Sequence, residues 1–191
     1  MSKQHRGVRI SFNSPVILGF VLLCFAALLL SDFTGGKTTA MFFSVYRASL
    51  TDPLTYVRFI GHVFGHAGWD HLMGNIMLIL VVGPLLEEKY GGANMLLVIL
   101  ATAVVTGVVH FIFFPQIQLL GASGVVFALI LLSSFTSIKN GEIPLTFILV
   151  AVIYIGQQVY QGLFIQDNVS NLTHIIGGFV GAGLGYAMNR S

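Results

Sequence analysis

Charge is what this sequence has least of: aspartate, glutamate, lysine and arginine make up 8% of 191 residues, and the formal net charge is only +2. Such a chain has no basic patch to offer a phosphate backbone, so nucleic-acid partners are set aside. Cysteine is nearly absent too. Cys24 is the single one and lies inside an apolar run, which excludes an intrachain disulfide and a thiolate metal site. There is no internal repeat, no low-complexity segment and no long polar tract, and no soluble domain is expected. What is there is apolar: 55% of the residues are hydrophobic, and the mean hydropathy is +0.88. This composition belongs to a chain dissolved in lipid.

A spanning helix needs about 20 apolar residues. Six candidate spans are found, at roughly 15–31, 71–86, 93–114, 119–138, 143–163 and 171–189. The breaks carry turn chemistry: Glu87-Glu88-Lys89-Tyr90-Gly91-Gly92, Pro115, Lys139-Asn140-Gly141 and Gln166-Asp167-Asn168. The expected fold is all-α, a polytopic bundle of six transmembrane helices over 15–191, preceded by a short N-terminus, 1–14. The run from Pro15 to Leu30 follows Lys3, Arg6 and Arg9 but is long and lacks a small-x-small cleavage site, so it reads as an anchor and not as a signal peptide. Lys3, Arg6, Arg9, Lys89, Lys139 and Arg190 fall on one side and Lys37, Arg47 and Arg58 on the other. The positive-inside rule then places both termini in the cytoplasm. The long first loop, 32–70, mixes aromatics with scattered charges and suits the membrane interface.

With that orientation the second, fourth and sixth spans run in the same direction. His71 and Asn75 begin the second, Ser123 the fourth and His174 the sixth, so four polar side chains meet at one outer depth. Each has an ordinary alternative. Ser123, between glycines, suits close helix packing; His174 suits a satisfied core histidine; His71 and Asn75, four apart on one helix face, suit interhelical hydrogen bonds. Polar side chains within lipid are costly, and their convergence favours function. Serine needs a base to become a nucleophile, and histidine is the usual one. Ser123 at a helix N-terminus meets free N–H groups and the positive dipole end, which favour an oxyanion; the Ala122 and Ser123 backbone, His71 and Asn75 are the candidate oxyanion donors. Ser123 and His174 must approach to about 3 Å, and Gly177, Gly178, Gly181, Ala182 and Gly185 provide a face of small residues for this. No carboxylate lies beside His174, and Asp70 reads as a helix N-cap. A Ser/His dyad without an acid is expected, with no metal and no cofactor.

Gly121-Ala122-Ser123-Gly124, His174 followed by Gly177 and Gly181, and the series His62, His66, His71 and Asn75 resemble the motifs of bacterial rhomboid intramembrane serine proteases of the six-span type. The resemblance covers about His62 to the C-terminus. It implies that Ser123 is the nucleophile, His174 the base, and His71 and Asn75 the oxyanion stabilisers, with Gly121, Gly124, Phe127, Gly177 and Gly181 in support. It implies a structural role for Glu87 and Gly91, transmembrane-helix proteins as substrates, and the bacterial cytoplasmic membrane as location. Two departures stand out: Phe127 occupies the place of a tyrosine that stacks on the base, and Tyr46-Arg47 is the nearest match to a Trp-Arg pair of the first loop. The fifth span and the loop at 164–170 are the expected gate by resemblance. Three rivals stay open at this point. They are an inactive rhomboid-like helix-binding protein, a haem or metal protein using His62, His66, His71, His110 and His174, and a small-solute transporter.

Overall fold

The computed structural model describes residues 12–135 and 168–190, together with six isolated helical positions between 145 and 156. Seven helices are named among them: α1 (Pro15–Thr34), α2 (Lys37–Phe42), α3 (Pro53–Gly61), α4 (Trp69–Tyr90), α5 (Gly92–Phe113), α6 (Ser123–Phe135) and α7 (Asn168–Arg190). One 3-10 turn, His62–Phe64, links α3 to the approach of α4. The expected span at 143–163 and the loop at 164–167 lie outside the described residues, apart from those six positions. Among the described residues three helices, α1, α4 and α5, are long and apolar enough to cross a membrane.

The bundle is apolar outside and partly polar inside, as lipid solvation demands. Along α5 the buried residues are Met95, Val98, Ile99, Thr102, Ala103, Thr106, Gly107, His110 and Phe111, a helical stripe at spacings of three and four. The opposite face exposes Leu96, Leu97, Leu100, Val104 and Val105. The polar members, Thr102, Thr106 and His110, are buried; the Thr106 hydroxyl donates to Thr102 O at 2.7 Å and His110 Nε2 lies 2.8 Å from Ile117 O.

Small residues set the helix spacing. A Cβ on Gly177 would meet the carbonyl of Gly124, and one on Gly181 the carbonyl of Ala128. The spacing of four is matched on both partners, so α6 and α7 run parallel with their backbones in contact. Gly83 of α4 accommodates Ile17 of α1, whose side chain a Cβ there would meet at 2.8 Å. At the far end of α4 the Tyr90 hydroxyl donates to Asn189 Oδ1 of α7 at 3.1 Å. The helices α4, α6 and α7 therefore begin at one end of the bundle and run the same way.

Helix α1 begins where α4 ends. The Glu87 carboxylate, 5% exposed, accepts the Val16 N–H at 3.0 Å and the Ile17 N–H at 2.9 Å through its two oxygens. Pro15 opens α1 with no N–H to satisfy, so the carboxylate takes the next two orphan donors and faces the positive end of the helix. This gives Glu87 the structural role expected of it.

Two local expectations are corrected. The stretch Glu87–Gly92 is not a loop: α4 continues through Tyr90, and the break is confined to Gly91, with φ +82°. Burial of Glu87 against α1 makes the last turn of α4 part of the core. Asp70 is not the N-cap of α4, which is the extended Gly68; Asp70 lies inside the first turn, near the positive helix end. The first loop carries α2, α3 and the 3-10 turn. Its organiser is Arg58, 5% exposed, which donates to Met41 O at 3.0 Å, pairs with Asp52 at 3.3 Å and lies over the Tyr46 ring at 4.6 Å.

Glu87→Gln is expected to keep one of the two α1 caps and Glu87→Ala neither. Thermal unfolding of the detergent-solubilised protein should show graded losses, reaching about 3 kcal/mol for alanine; equal midpoints for all three proteins would contradict the capping role.

Candidate active site

The segment between α5 and α6 carries the serine to its place, and three fastenings hold it. His110, at the end of α5, donates its Nε2–H to Ile117 O at 2.8 Å and stacks on Phe114 at 5.5 Å. Val45 of the first loop exchanges both backbone hydrogen bonds with Leu119, each at 2.9 Å. The Gly121 N–H donates to His62 O at 2.9 Å. His110 thus makes a polar contact at the C-terminal end of α5. His62 contributes through its carbonyl as well as its ring, which lies 3.2 Å from the Thr106 hydroxyl.

Gly121 has φ +128°, a conformation L side chains rarely adopt. The reason for a glycine is steric as well. The point where a Cβ would stand is 2.9 Å from His71 Nε2 and 3.8 Å from Ser123 Oγ. His71, from the first turn of α4, and Ser123, the first residue of α6, therefore flank the same small space. Ala122 precedes Ser123 fully buried, and its carbonyl accepts the Val126 N–H at 2.9 Å, closing the first turn of α6. The N–H groups of that first turn have no partner within the helix itself and point back toward the same space.

His71 and Asn75 lie on one face of α4. The Ala67 N–H reaches His71 Nδ1 at 3.5 Å, a long contact. Asn75 Nδ2 is 3.2 Å from His66 Nε2, and the His66 and His71 rings meet edge-on at 5.0 Å. Packing of α7 on α6 brings His174 to Phe127. Its ring centroid is 4.5 Å from that of Phe127, tilted by 47°, and Phe127 is one helical turn below Ser123 on the same face. The ring contact expected at the tyrosine position is thus kept by phenylalanine without a hydroxyl. Gly124 does not lie at a contact limit of its own: a Cβ there would have the Thr102, Thr106 and Thr173 methyls at 3.5–3.9 Å. Its importance is the carbonyl it presents to Gly177.

The sequence-predicted residues Ser123, Ala122, Gly121, His71, Asn75, Phe127 and His174 are thus gathered at the common starting end of α4, α6 and α7. Sequence reasoning gave His66 no part in the Ser/His chemistry, although its place in the histidine series was the available signal. It also missed Arg58 as the organiser of the first loop, and Gly61 and Gly65. A Cβ on either glycine would meet the backbone of Phe42 or Phe43; nothing in their local sequence reveals so tight a crossing. Among the described residues no three histidine, cysteine or acidic side chains group as metal ligands.

Residues 53–191 match the Rhomboid domain family. The chain belongs to the rhomboid family. It is 35% identical over 159 residues to the mouse Rhomboid-related protein 2, covering 73% of this chain and 53% of that one. To the Caenorhabditis elegans Rhomboid-related protein 1 it is 31% identical over 140 residues, 69% of this chain and 39% of the relative. The Rhomboid protease GluP of Bacillus subtilis is 28% identical over 174 residues, 85% of this chain and 33% of GluP. The chain spans about half the length, or less, of these relatives. With three long apolar helices among its described residues, this rhomboid chain is a multi-pass membrane protein.

The two glycines flanking the Ala122-Ser123 pair are expected to respond differently. Gly121→Ala forces a Cβ into the His71 ring and strains the backbone, lowering unfolding stability by about 1–3 kcal/mol, whereas Gly124→Ala is tolerated within about 1 kcal/mol. Thermal melts of both variants in one detergent check this; equal losses would refute the crowding at Gly121.

Proposed function

We propose that this rhomboid domain is an intramembrane serine protease that hydrolyses peptide bonds in or near transmembrane segments of membrane proteins. Ser123 is the nucleophile and His174 the base. His71, Asn75 and the backbone N–H groups around Ala122 and Ser123 stabilise the oxyanion. The observation that carries this reading is the meeting of His71 Nε2 and Ser123 Oγ around Gly121 at the start of α6, with the His174 ring against Phe127 one turn away.

The chemistry follows from these groups. Ser123 Oγ attacks a peptide carbonyl carbon while its proton passes to the His174 imidazole. The carbonyl oxygen becomes an oxyanion facing His71, Asn75 and the first N–H groups of α6, whose dipole end is positive. Collapse of the adduct breaks the C–N bond, and the imidazolium returns its proton to the leaving amine. Water then attacks the acyl-serine with His174 again taking a proton, and release of the acid restores Ser123. Neither step needs a metal or an organic cofactor.

The domain comprises six spans over 15–191, after a short cytoplasmic segment 1–14, with both termini cytoplasmic. The lysine and arginine distribution supports this, as does the parallel run of α4, α6 and α7. The site then faces the outer side of a bacterial cytoplasmic membrane, and transmembrane-helix proteins are its substrates. Gating by the fifth span and the loop at 164–170 is part of the same proposal.

Purified protein in liposomes with a labelled single-span substrate gives the test. Wild type is expected to cleave, and Ser123→Ala and His174→Ala to lose at least about 10³-fold in rate. A fluorophosphonate should label wild type and not Ser123→Ala. Equal cleavage by all three proteins would overturn the assignment; labelling of Ser123 without cleavage of any helix substrate would favour a helix-binding relative.

A further inference from the structure

His66 lies in the short turn before α4, is 2% exposed and has no part in the proposed mechanism. Its two ring nitrogens have definite neighbours. Nδ1 is 3.1 Å from Phe64 O, and a carbonyl oxygen only accepts, so Nδ1 carries the proton. A neutral imidazole has one N–H, which leaves Nε2 as an acceptor. Its neighbour is the Asn75 side-chain nitrogen at 3.2 Å. The amide must therefore turn its NH2 toward His66 and its oxygen away. The reverse tautomer would set two lone pairs against each other at Phe64 O. Burial, with a smaller contribution from His71, pushes His66 down to about 4, so the ring is neutral at pH 7.

We infer that His66 is a positioning residue that orients the Asn75 amide as a hydrogen-bond donor in the oxyanion site. The inference rests on the protease reading given above. One amide hydrogen goes to His66 Nε2, and the other has no acceptor among the described residues. An asparagine left to rotate would as readily present its oxygen, which repels an oxyanion. The same ring packs edge-on against His71 at 5.0 Å, so it also limits where the second donor can stand. The backbone of one short turn selects both tautomers: Phe64 O accepts the His66 Nδ1–H, and the Ala67 N–H donates to His71 Nδ1, leaving the His71 Nε2–H beside Gly121 and Ser123. His66 itself touches no substrate atom in this scheme.

A double-mutant cycle between positions 66 and 75 tests it in liposomes, with Ser123→Ala as the blank. His66→Phe keeps the ring and its packing on His71 while removing both nitrogens, and His66→Ala is run beside it should one variant fail to fold. Asn75→Ala is expected to lower kcat by about 10²-fold, and His66→Phe by at least 10-fold, with KM unchanged within twofold for both. The double variant should be no slower than Asn75→Ala alone, because a positioning residue has nothing left to position. Multiplying kcat losses, or a rise in KM with kcat intact, would overturn the inference. A separate readout does not depend on turnover: 15N spectra of histidine-labelled protein should show His66 protonated at Nδ1 and unprotonated at Nε2. The opposite tautomer would refute the inference even in an active enzyme. A wild type no faster than the Ser123→Ala blank would instead refute the protease reading, and the role in an oxyanion site with it.

Discussion

Backbone contact between α6 and α7 is the constraint on which the rest of the site depends. Gly177 and Gly181 carry no Cβ, and the carbonyls of Gly124 and Ala128 occupy the space those carbons would take. Lipid chains are as apolar as leucine, so bringing two helices together in a membrane gains little from hydrophobic burial; the gain comes from close atomic packing and from polar contacts. Small residues at a spacing of four on both helices permit the first. The result is that His174, three residues before Gly177, comes to the face of α6 that bears Ser123 and Phe127. A larger side chain at either glycine would separate the helices and carry the histidine away from the serine.

The second constraint is the cost of irregular backbone at membrane depth. Chain that is neither helix nor strand must find partners for its N–H and C=O groups within the protein. The stretch from Phe114 to Ala122 finds them in His110, in Val45 and in the carbonyl of His62. Two of these three come from the region before α4, so the first loop is scaffold and not an appendage. Arg58 holds that loop in shape by binding Met41 O, Asp52 and the face of Tyr46 together. Arg47 ties it to the end of α5 through Ile112 O at 3.0 Å and the Phe111 ring. Tyr46 and Arg47, the nearest sequence match to an aromatic-arginine pair, thus engage different partners from each other.

The two ends of the bundle divide the labour. At one end Glu87 caps α1, and Tyr90 reaches Asn189, joining α1, α4 and α7 through hydrogen bonds remote from the site. At the other, His66, His71, Asn75, Gly121 and Ser123 lie together.

The long helices and the shared starting end of α4, α6 and α7 were legible in the sequence, because apolar length and the spacing of polar residues are one-dimensional properties. The extents Pro15–Thr34, Trp69–Tyr90 and Gly92–Phe113 fall close to those expected, and so does the shared end of α4, α6 and α7 that His71, Ser123 and His174 mark. The glycine stripe of α7 was read as a contact face, and it is one. What the sequence did not disclose were contacts between residues far apart along the chain. Glu87 and Val16 are separated by 71 residues and Val45 and Leu119 by still more, and nothing local in Glu87-Glu88-Lys89 announces that one carboxylate is a helix cap. The φ of Gly121, the burial of Arg58 and the tautomer of His66 are likewise set by neighbours that only the assembled bundle supplies. Composition and period determined which segments are helices in lipid; tertiary packing alone decided which polar group answers which, because hydrogen bonds depend on distance in space and not on order along the chain.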